Sequence, residues 1–274
     1  MWWVVIFFLV LASMLFPLIL LSNKYKFEIT ILHQSIVVIV ASLICQLARR
    51  EPLRELFGSF NLRWIKELFI GVLIGMALML IPALFLFFYG ISWNDNTLDF
   101  SSLLSATMLF VGVALVEEVL FRGFLFQRLI DGLGRWPAQL IIGGLFLLTH
   151  SGNPGMTGSI RVFASVNIFL ASVMFGLAFI KTKSLAPPIG IHFMANWTQG
   201  IALGFGVSGN DQASFLKPIL ISAPEWLTGG SFGLEASIPG LITVILALVF
   251  LYRWNPGASV VRTGYSYKPA LSEY

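Results

Sequence analysis

The sequence predicts an all-α, polytopic membrane protein, a bundle of about eight transmembrane helices. Hydrophobic residues make up 57% of the 274 residues and charged residues only 11%, against about 25% charged residues in a soluble domain. Apolar runs of about 20 residues, the length that crosses a bilayer as a helix, recur along the whole chain. A soluble protein of this size could not solvate so apolar a surface.

Eight apolar segments fit the length of a membrane-spanning helix. They cover residues 2–22, 29–48, 66–90, 101–121, 137–150, 160–181, 186–207 and 237–254. The first lacks the basic leading region and the cleavage pattern of a signal peptide, so it predicts a retained helix. The fourth leaves a continuation to about residue 130 open, and the fifth is short for a span. We expect one membrane domain, 1–274, whose longest connection is 208–236.

The basic residues predict the orientation of this bundle. Eight spans place both termini on the same face, and 13 of the 17 Lys and Arg residues lie on it, Arg262 and Lys268 among them. The other four are Lys24, Lys26, Arg161 and Lys217. The positive-inside rule makes the first face, and therefore both termini, cytoplasmic. Short connections and the lack of a retention signal favour a bacterial inner membrane.

Charge and cysteine content exclude two other classes of protein. The net charge is +4, but the basic residues follow the connections between apolar runs and form no patch with interleaved aromatic residues. Nucleic-acid binding is therefore not expected. The single cysteine, Cys45, cannot form an internal disulfide.

Ionisable residues inside the predicted spans are the first indication of function, because each costs free energy in lipid unless it meets a partner or a polar cavity. The fourth span contains Glu117, Glu118 and Arg122. Glu118 and Arg122 are one helical turn apart and can form an ion pair. Glu117 is rotated by about 100° from Glu118 and has no cation one turn away, so its partner must come from another helix.

Two further spans carry the residues that could meet Glu117. Phe146 and His150 are four residues apart in the fifth span, and His192 and Asn196 in the seventh. Each pair therefore shares one helix face. We predict that three helices bring Glu117, His150, His192 and Asn196 to one polar pocket. Helical rise puts Glu117 and His192 at similar depths but places His150 about 10 Å too deep, unless its helix starts inside the membrane or the fourth helix is long and tilted.

Three motifs built from these residues resemble those of a known family. Glu117-Glu118-Val-Leu-Phe-Arg122, Phe146-Leu-Leu-Thr-His150 and His192-Phe-Met-Ala-Asn196 are similar to the EExxxR, FxxxH and HxxxN motifs of the CAAX-prenyl-endopeptidase and bacteriocin-processing (CPBP, or Abi) membrane proteases. The resemblance covers a core at residues 101–205. It implies an eight-helix bundle with both ends cytoplasmic, and a catalytic role for the first glutamate, Glu117.

Peptide hydrolysis needs an activated water, a stabilised oxyanion and a proton donor for the leaving amine. We expect Glu117 to activate the water, His150 to orient it, and His192 and Asn196 to bind the oxyanion, with Glu118 and Arg122 supporting Glu117. No cofactor is obligatory in this scheme. The alternative is a zinc enzyme, with Glu117, His150 and His192 as metal ligands and water at the open position.

Other interpretations of the same residues stay open. The Glu118–Arg122 pair can serve helix packing alone, Glu117 can face the cytoplasmic interface, and His150 or His192 can lie near the headgroups. The expected substrate is a membrane-associated peptide, with or without a lipid modification. The alternative functions are a non-catalytic scaffold or bacteriocin-immunity protein, and a proton-coupled transporter. The sequence does not predict an oligomeric state.

Overall fold

The computed structural model describes residues 1–220 and 223–254. The chain folds as an all-α helical bundle, as predicted. Arg262, Lys268 and the predicted cytoplasmic C-terminus lie outside the described residues.

The helices follow the apolar segments of the sequence closely. In chain order they are α1 (Trp2–Tyr25), α2 (Ile31–Ala48), the short α3 (Arg54–Phe57), α4 (Leu62–Tyr89), α5 (Phe100–Glu118), α6 (Leu125–Leu133), α7 (Arg135–His150), α8 (Gly158–Thr182), α9 (Ala186–Trp197), the short α10 (Glu225–Thr228) and α11 (Ile238–Arg253). Two π-helical segments, Val119–Phe124 and Thr198–Ala202, join α5 to α6 and extend α9. A single 3-10 turn, Leu234–Ala236, precedes α11.

Helix length and surface composition both fit a bilayer. In the described part of the chain, five helical segments are long and apolar enough to span it: Trp2–Tyr25, Ile31–Ala48, Arg54–Tyr89, Phe100–Leu133 and Gly158–Thr182. Large apolar side chains cover the outside of the bundle, and α1 buries only Phe7. The protein is therefore an integral, multi-pass membrane protein. The number of spans and their orientation stay predictions.

Polar residues mark where the main helices begin. The side chains of Asn61, Asp99 and Ser237 accept hydrogen bonds from backbone N–H groups in the first turns of α4, α5 and α11. These bonds satisfy donors that have no partner inside the helix. At its other end α4 stops at Gly90, whose φ of 105° belongs to the left-handed region that glycine tolerates.

Close packing of α4 against α9 positions the helix that carries His192. Gly71 and Gly75 lie on the face of α4 that meets α9, where a Cβ at either position would overlap backbone atoms of Pro187 or Ile191. Gly190 makes the reciprocal approach to the backbone of α4. Small residues allow helices in a membrane to pack this closely. The two glycines of α4 thus serve helix packing.

We expect Gly75→Ala to destabilise the protein by about 1 to 3 kcal/mol, because the added methyl group must push α9 away from α4. The matched control is Gly144→Ala in α7, where a Cβ would meet open space; alanine should there be neutral or stabilising by up to about 1 kcal/mol. Thermal unfolding in detergent micelles measures both. Equal stability of the two variants would contradict the packing role.

The connection between α9 and α11 folds back onto the bundle instead of forming a surface loop. It begins at Leu203, since the π-helical segment ends there and Gly204 follows with a φ of 73°; the prediction that the helix runs to residue 207 is wrong. Its strand β2 (Leu216–Ile219) pairs antiparallel with β1 (Ser92–Asp95), Ser92 opposite Ile219. Many of its described side chains are buried, so the segment 203–237 packs against the helices along one side of the bundle.

Candidate active site

The turn at Gly134 sets the depth of two site residues. Helical structure runs from Phe100 to Leu133 with a bend at Gly123, whose ψ of −122° is not helical, so Glu117 lies at most about 24 Å before this turn. His150 is the last of the 16 residues of α7 and lies about 22 Å beyond it. Because α6 and α7 pack against each other on either side of the turn, the two residues reach the same depth. The 10 Å mismatch is absent because helical structure continues beyond residue 121, the possibility that the sequence left open.

Glu117, His150 and His192 converge from three different helices. Glu117 Oε2 lies 3.9 Å from His150 Nε2 and 3.9 Å from His192 Nε2. This oxygen is buried and has no hydrogen-bond partner among the described residues. The Glu117 side chain as a whole retains 23% exposure.

Hydrogen bonds on the far side of each ring orient the two imidazoles. His150 Nδ1 lies 2.8 Å from the carbonyl oxygen of Phe146, and His192 Nδ1 lies 2.9 Å from Glu118 Oε1. Both partners accept, so each Nδ1 must carry the proton and donate. In a neutral ring the lone pair then lies on Nε2. Both histidines therefore direct Nε2 towards Glu117 Oε2.

Glu118 and Arg122 form the predicted ion pair and lie directly behind His192. Arg122 Nη1 is 3.2 Å from Glu118 Oε1, the same oxygen that accepts from His192, and both side chains are fully buried. Arg122 Nη2 donates to the backbone oxygen of Ser172 at 3.0 Å and to its hydroxyl at 2.7 Å. Glu118 thus bonds to the buried guanidinium of Arg122 and also to the His192 imidazole, whose ring it orients.

Three phenylalanine rings surround the guanidinium of Arg122. Its central carbon lies 4.8 Å from the ring centroid of Phe146, 5.0 Å from that of Phe175 and 5.7 Å from that of Phe121. Ring faces carry partial negative charge, so they stabilise the cation where water is excluded. The same rings contact the histidines: Phe175 stacks on His192 and Phe146 packs on His150.

Sequence reasoning missed Ser172 and Phe175. Both lie on α8, a span whose apolar sequence contains nothing ionisable near them. Their spacing, i and i+3, places them on one helix face, but only the position of Arg122 on another helix gives that face a role. A serine inside an apolar span was the only available signal, and Ser165 and Asn167 in the same span gave an equal one.

Asn196 is the predicted site residue with the least defined surroundings. It lies one turn after His192 on α9 and is half-buried. Its side-chain amide makes no hydrogen bond to the described residues. The structure therefore brings Glu117, His150 and His192 together, places Glu118 and Arg122 behind them, and leaves Asn196 on the His192 face of α9 by helical spacing.

Residues 99–198 match the family model described as type II CAAX prenyl endopeptidase Rce1-like. The match covers 100 of the 274 residues and supports the predicted family. The Rce1-like segment contains all six predicted site residues, from Glu117 to Asn196. No curated protein gives a match to the chain.

Proposed function

We propose that this protein is an intramembrane endopeptidase that hydrolyses a peptide bond of a membrane-associated substrate with a water activated by Glu117. The observation that carries the proposal is the unpaired Oε2 of Glu117, facing the Nε2 atoms of His150 and His192 at 3.9 Å each. The match to an endopeptidase family supports it.

The spacing of these atoms suits a bridging water. Two acceptors 3.9 Å apart can each accept a hydrogen bond of about 2.8 Å from one water, at an angle of about 90°. One hydrogen of that water would point to Glu117 Oε2 and the other to the lone pair of an imidazole Nε2. The oxygen lone pairs are then left free for attack on a carbonyl carbon.

Glu117 then acts as base and acid in turn. As the water oxygen bonds to the carbonyl carbon, its proton passes to Glu117 Oε2 and the carbonyl oxygen becomes the oxyanion. When the carbon–nitrogen bond breaks, Glu117 returns that proton to the leaving amine. His150 holds the water, while Glu118 and Arg122 hold His192.

The oxyanion requires N–H donors aimed at it. In their neutral forms His150 and His192 donate from Nδ1 and accept at Nε2, so neither ring offers a donor on the side that faces Glu117. The amide of Asn196, one turn from His192, has two N–H groups without a described partner. We therefore assign oxyanion binding to Asn196, and to His192 only when its ring carries both protons.

The zinc alternative uses Glu117, His150 and His192 as ligands. The Nδ1 bonds to Glu118 and Phe146 resemble those that orient metal-binding histidines. However, Glu117 Oε2 and His192 Nε2 lie 3.9 Å apart. If each bound a zinc at about 2.1 Å, the angle between them at the metal would be about 135°, against about 109° in a tetrahedral site. The spacing therefore supports water over zinc, and we propose that no metal is obligatory.

We expect purified protein to cleave members of a quenched peptide library, with and without an attached lipid, and to keep its activity in a zinc chelator. Cleavage rates in micelles with chelator and with chelator plus excess zinc measure this. Activity that is lost to the chelator and restored by zinc would replace the proposed mechanism with the zinc one. If no peptide is cleaved in any arm, the proposal of an enzyme fails and the scaffold interpretation takes its place.

A further inference from the structure

A third glutamate lies beside the site without belonging to any of the three motifs. Glu235 is half-buried in the 3-10 turn Leu234–Ala236 of the segment 203–237. Its Oε1 accepts hydrogen bonds from the backbone N–H of Ser208 at 2.6 Å, the Ser208 hydroxyl at 3.2 Å and Gln199 Nε2 at 3.3 Å. Its Oε2 accepts none from the described residues.

Glu235 is tied to the helix that carries His192. Gln199, in the π-helical extension of α9, donates to the Glu235 carboxylate and accepts from the Glu235 backbone N–H at 3.2 Å. On the opposite side, the amide of Asn167 on α8 donates to the Glu235 backbone oxygen. Both residues are almost fully buried, so these bonds form where water does not compete.

The same cluster borders the end of α7, where His150 lies. The turn after His150 begins with a bond from the Asn153 N–H to the His150 oxygen at 3.1 Å. The carbonyl of Pro154 in this turn packs so closely on Gly209 that a Cβ there would overlap it. Gly209 follows Ser208, the main partner of Glu235, so this turn joins Glu235 to the end of α7.

We propose that Glu235 is a positioning residue of this site: it holds the segment 203–237 against α7 and α9, and through Ser208, Gly209 and the turn at Pro154 it keeps His150 opposite Glu117. Its effect on the reaction rests on the proposed function, whereas its effect on His150 does not.

The surroundings of Glu235 are unusual for a residue that only fastens a loop. Burial raises the pKa of Glu235, and the hydrogen bond from the Ser208 N–H opposes that rise. A buried carboxyl is costly to keep, and a neutral amide could accept the same Ser208 bonds. The carboxyl group itself is therefore the feature to test.

Because the chain has three histidines, protein labelled with ¹⁵N-histidine in micelles gives a spectrum simple enough to test the proposal. We expect Glu235→Gln to move the ring resonances of His150 and to leave those of His33, in the first turn of α2, unchanged. Glu225→Gln, an exposed glutamate of the same segment, is the matched control and should move neither. The His150→Gln variant assigns the signals.

Peptide cleavage forms the second arm. Glu235→Gln should lower kcat by about tenfold, the effect typical of residues that orient a catalytic histidine, with KM and the thermal midpoint close to wild type. An unmoved His150 signal or an unchanged kcat would overturn the proposal. So would a drop in the thermal midpoint large enough for unfolded protein to account for the lost activity. If wild type cleaves nothing, the proposed function fails, and the His150 resonances still decide whether Glu235 positions the ring.

Discussion

Glu117→Gln is expected to reduce kcat by about 10³-fold or more while the protein stays folded. The size follows from the loss of a group that both takes the proton from water and returns it to the amine, since acid–base catalysis contributes about 10² to 10⁴-fold. Glutamine has the same shape but a negligible basicity, so KM should change little. Rates of peptide cleavage at saturating substrate measure the effect.

The fold should tolerate this change because Glu117 Oε2 makes no hydrogen bond that glutamine could break. Thermal unfolding is expected to be unchanged, or to shift upwards as a poorly solvated charge disappears. Glu225→Gln, exposed on the segment 203–237, controls for the general loss of one carboxylate. Cleavage by Glu117→Gln at more than about a tenth of the wild-type rate would be too fast for an essential base and would remove Glu117 from the mechanism.

Arg122→Met is expected to cause the largest loss of stability. It leaves Glu118 buried without its cation, and it removes the positive charge that lies between the rings of Phe121, Phe146 and Phe175. Removing one partner of a buried ion pair costs about 3 to 5 kcal/mol. Lysine should not rescue it, because one ammonium cannot replace the planar group that contacts Ser172 and three rings at once. Thermal unfolding in micelles measures the loss.

A double variant separates stability from function at this pair. Glu118→Leu with Arg122→Met removes both charges and also the acceptor of the His192 bond, so much of the stability lost in Arg122→Met should return. Activity should not return, because His192 Nδ1 has then lost the carboxylate that orients it. Recovery of both would show that the pair serves packing only, and recovery of neither would show that the arginine is needed for the fold itself.

Helical periodicity predicted the local geometry of the site well. The spacing of Glu118 and Arg122 predicted their ion pair, found at 3.2 Å. The lack of any cation one turn from Glu117 predicted a partner on another helix, and the structure places His150 and His192 there. Such predictions succeed because 3.6 residues per turn determine which side chains share a face of one helix.

Depth and neighbours across helices were predicted less well. The position of His150 depended on where the fourth helix ends, and its continuation through the π-helical segment Val119–Phe124 has no clear mark in the sequence. Glu235 was missed because the segment 203–237 looks like a polar connection, whereas it is folded into the bundle. Its role depends on contacts with Ser208 and Gln199, which no periodicity relates to it.

Composition and motif spacing were enough to predict a helical membrane protein with motifs similar to those of a protease family, because apolar length dictates a bilayer solvent and the three motifs lie on separate apolar helices. They did not show that both histidines turn Nε2 towards Glu117, that Glu118 orients His192, or that Ser172 and the phenylalanine rings enclose Arg122. Those features depend on the rotation and depth of one helix against another, which packing determines, here at the turn at Gly134 and at the glycines between α4 and α9.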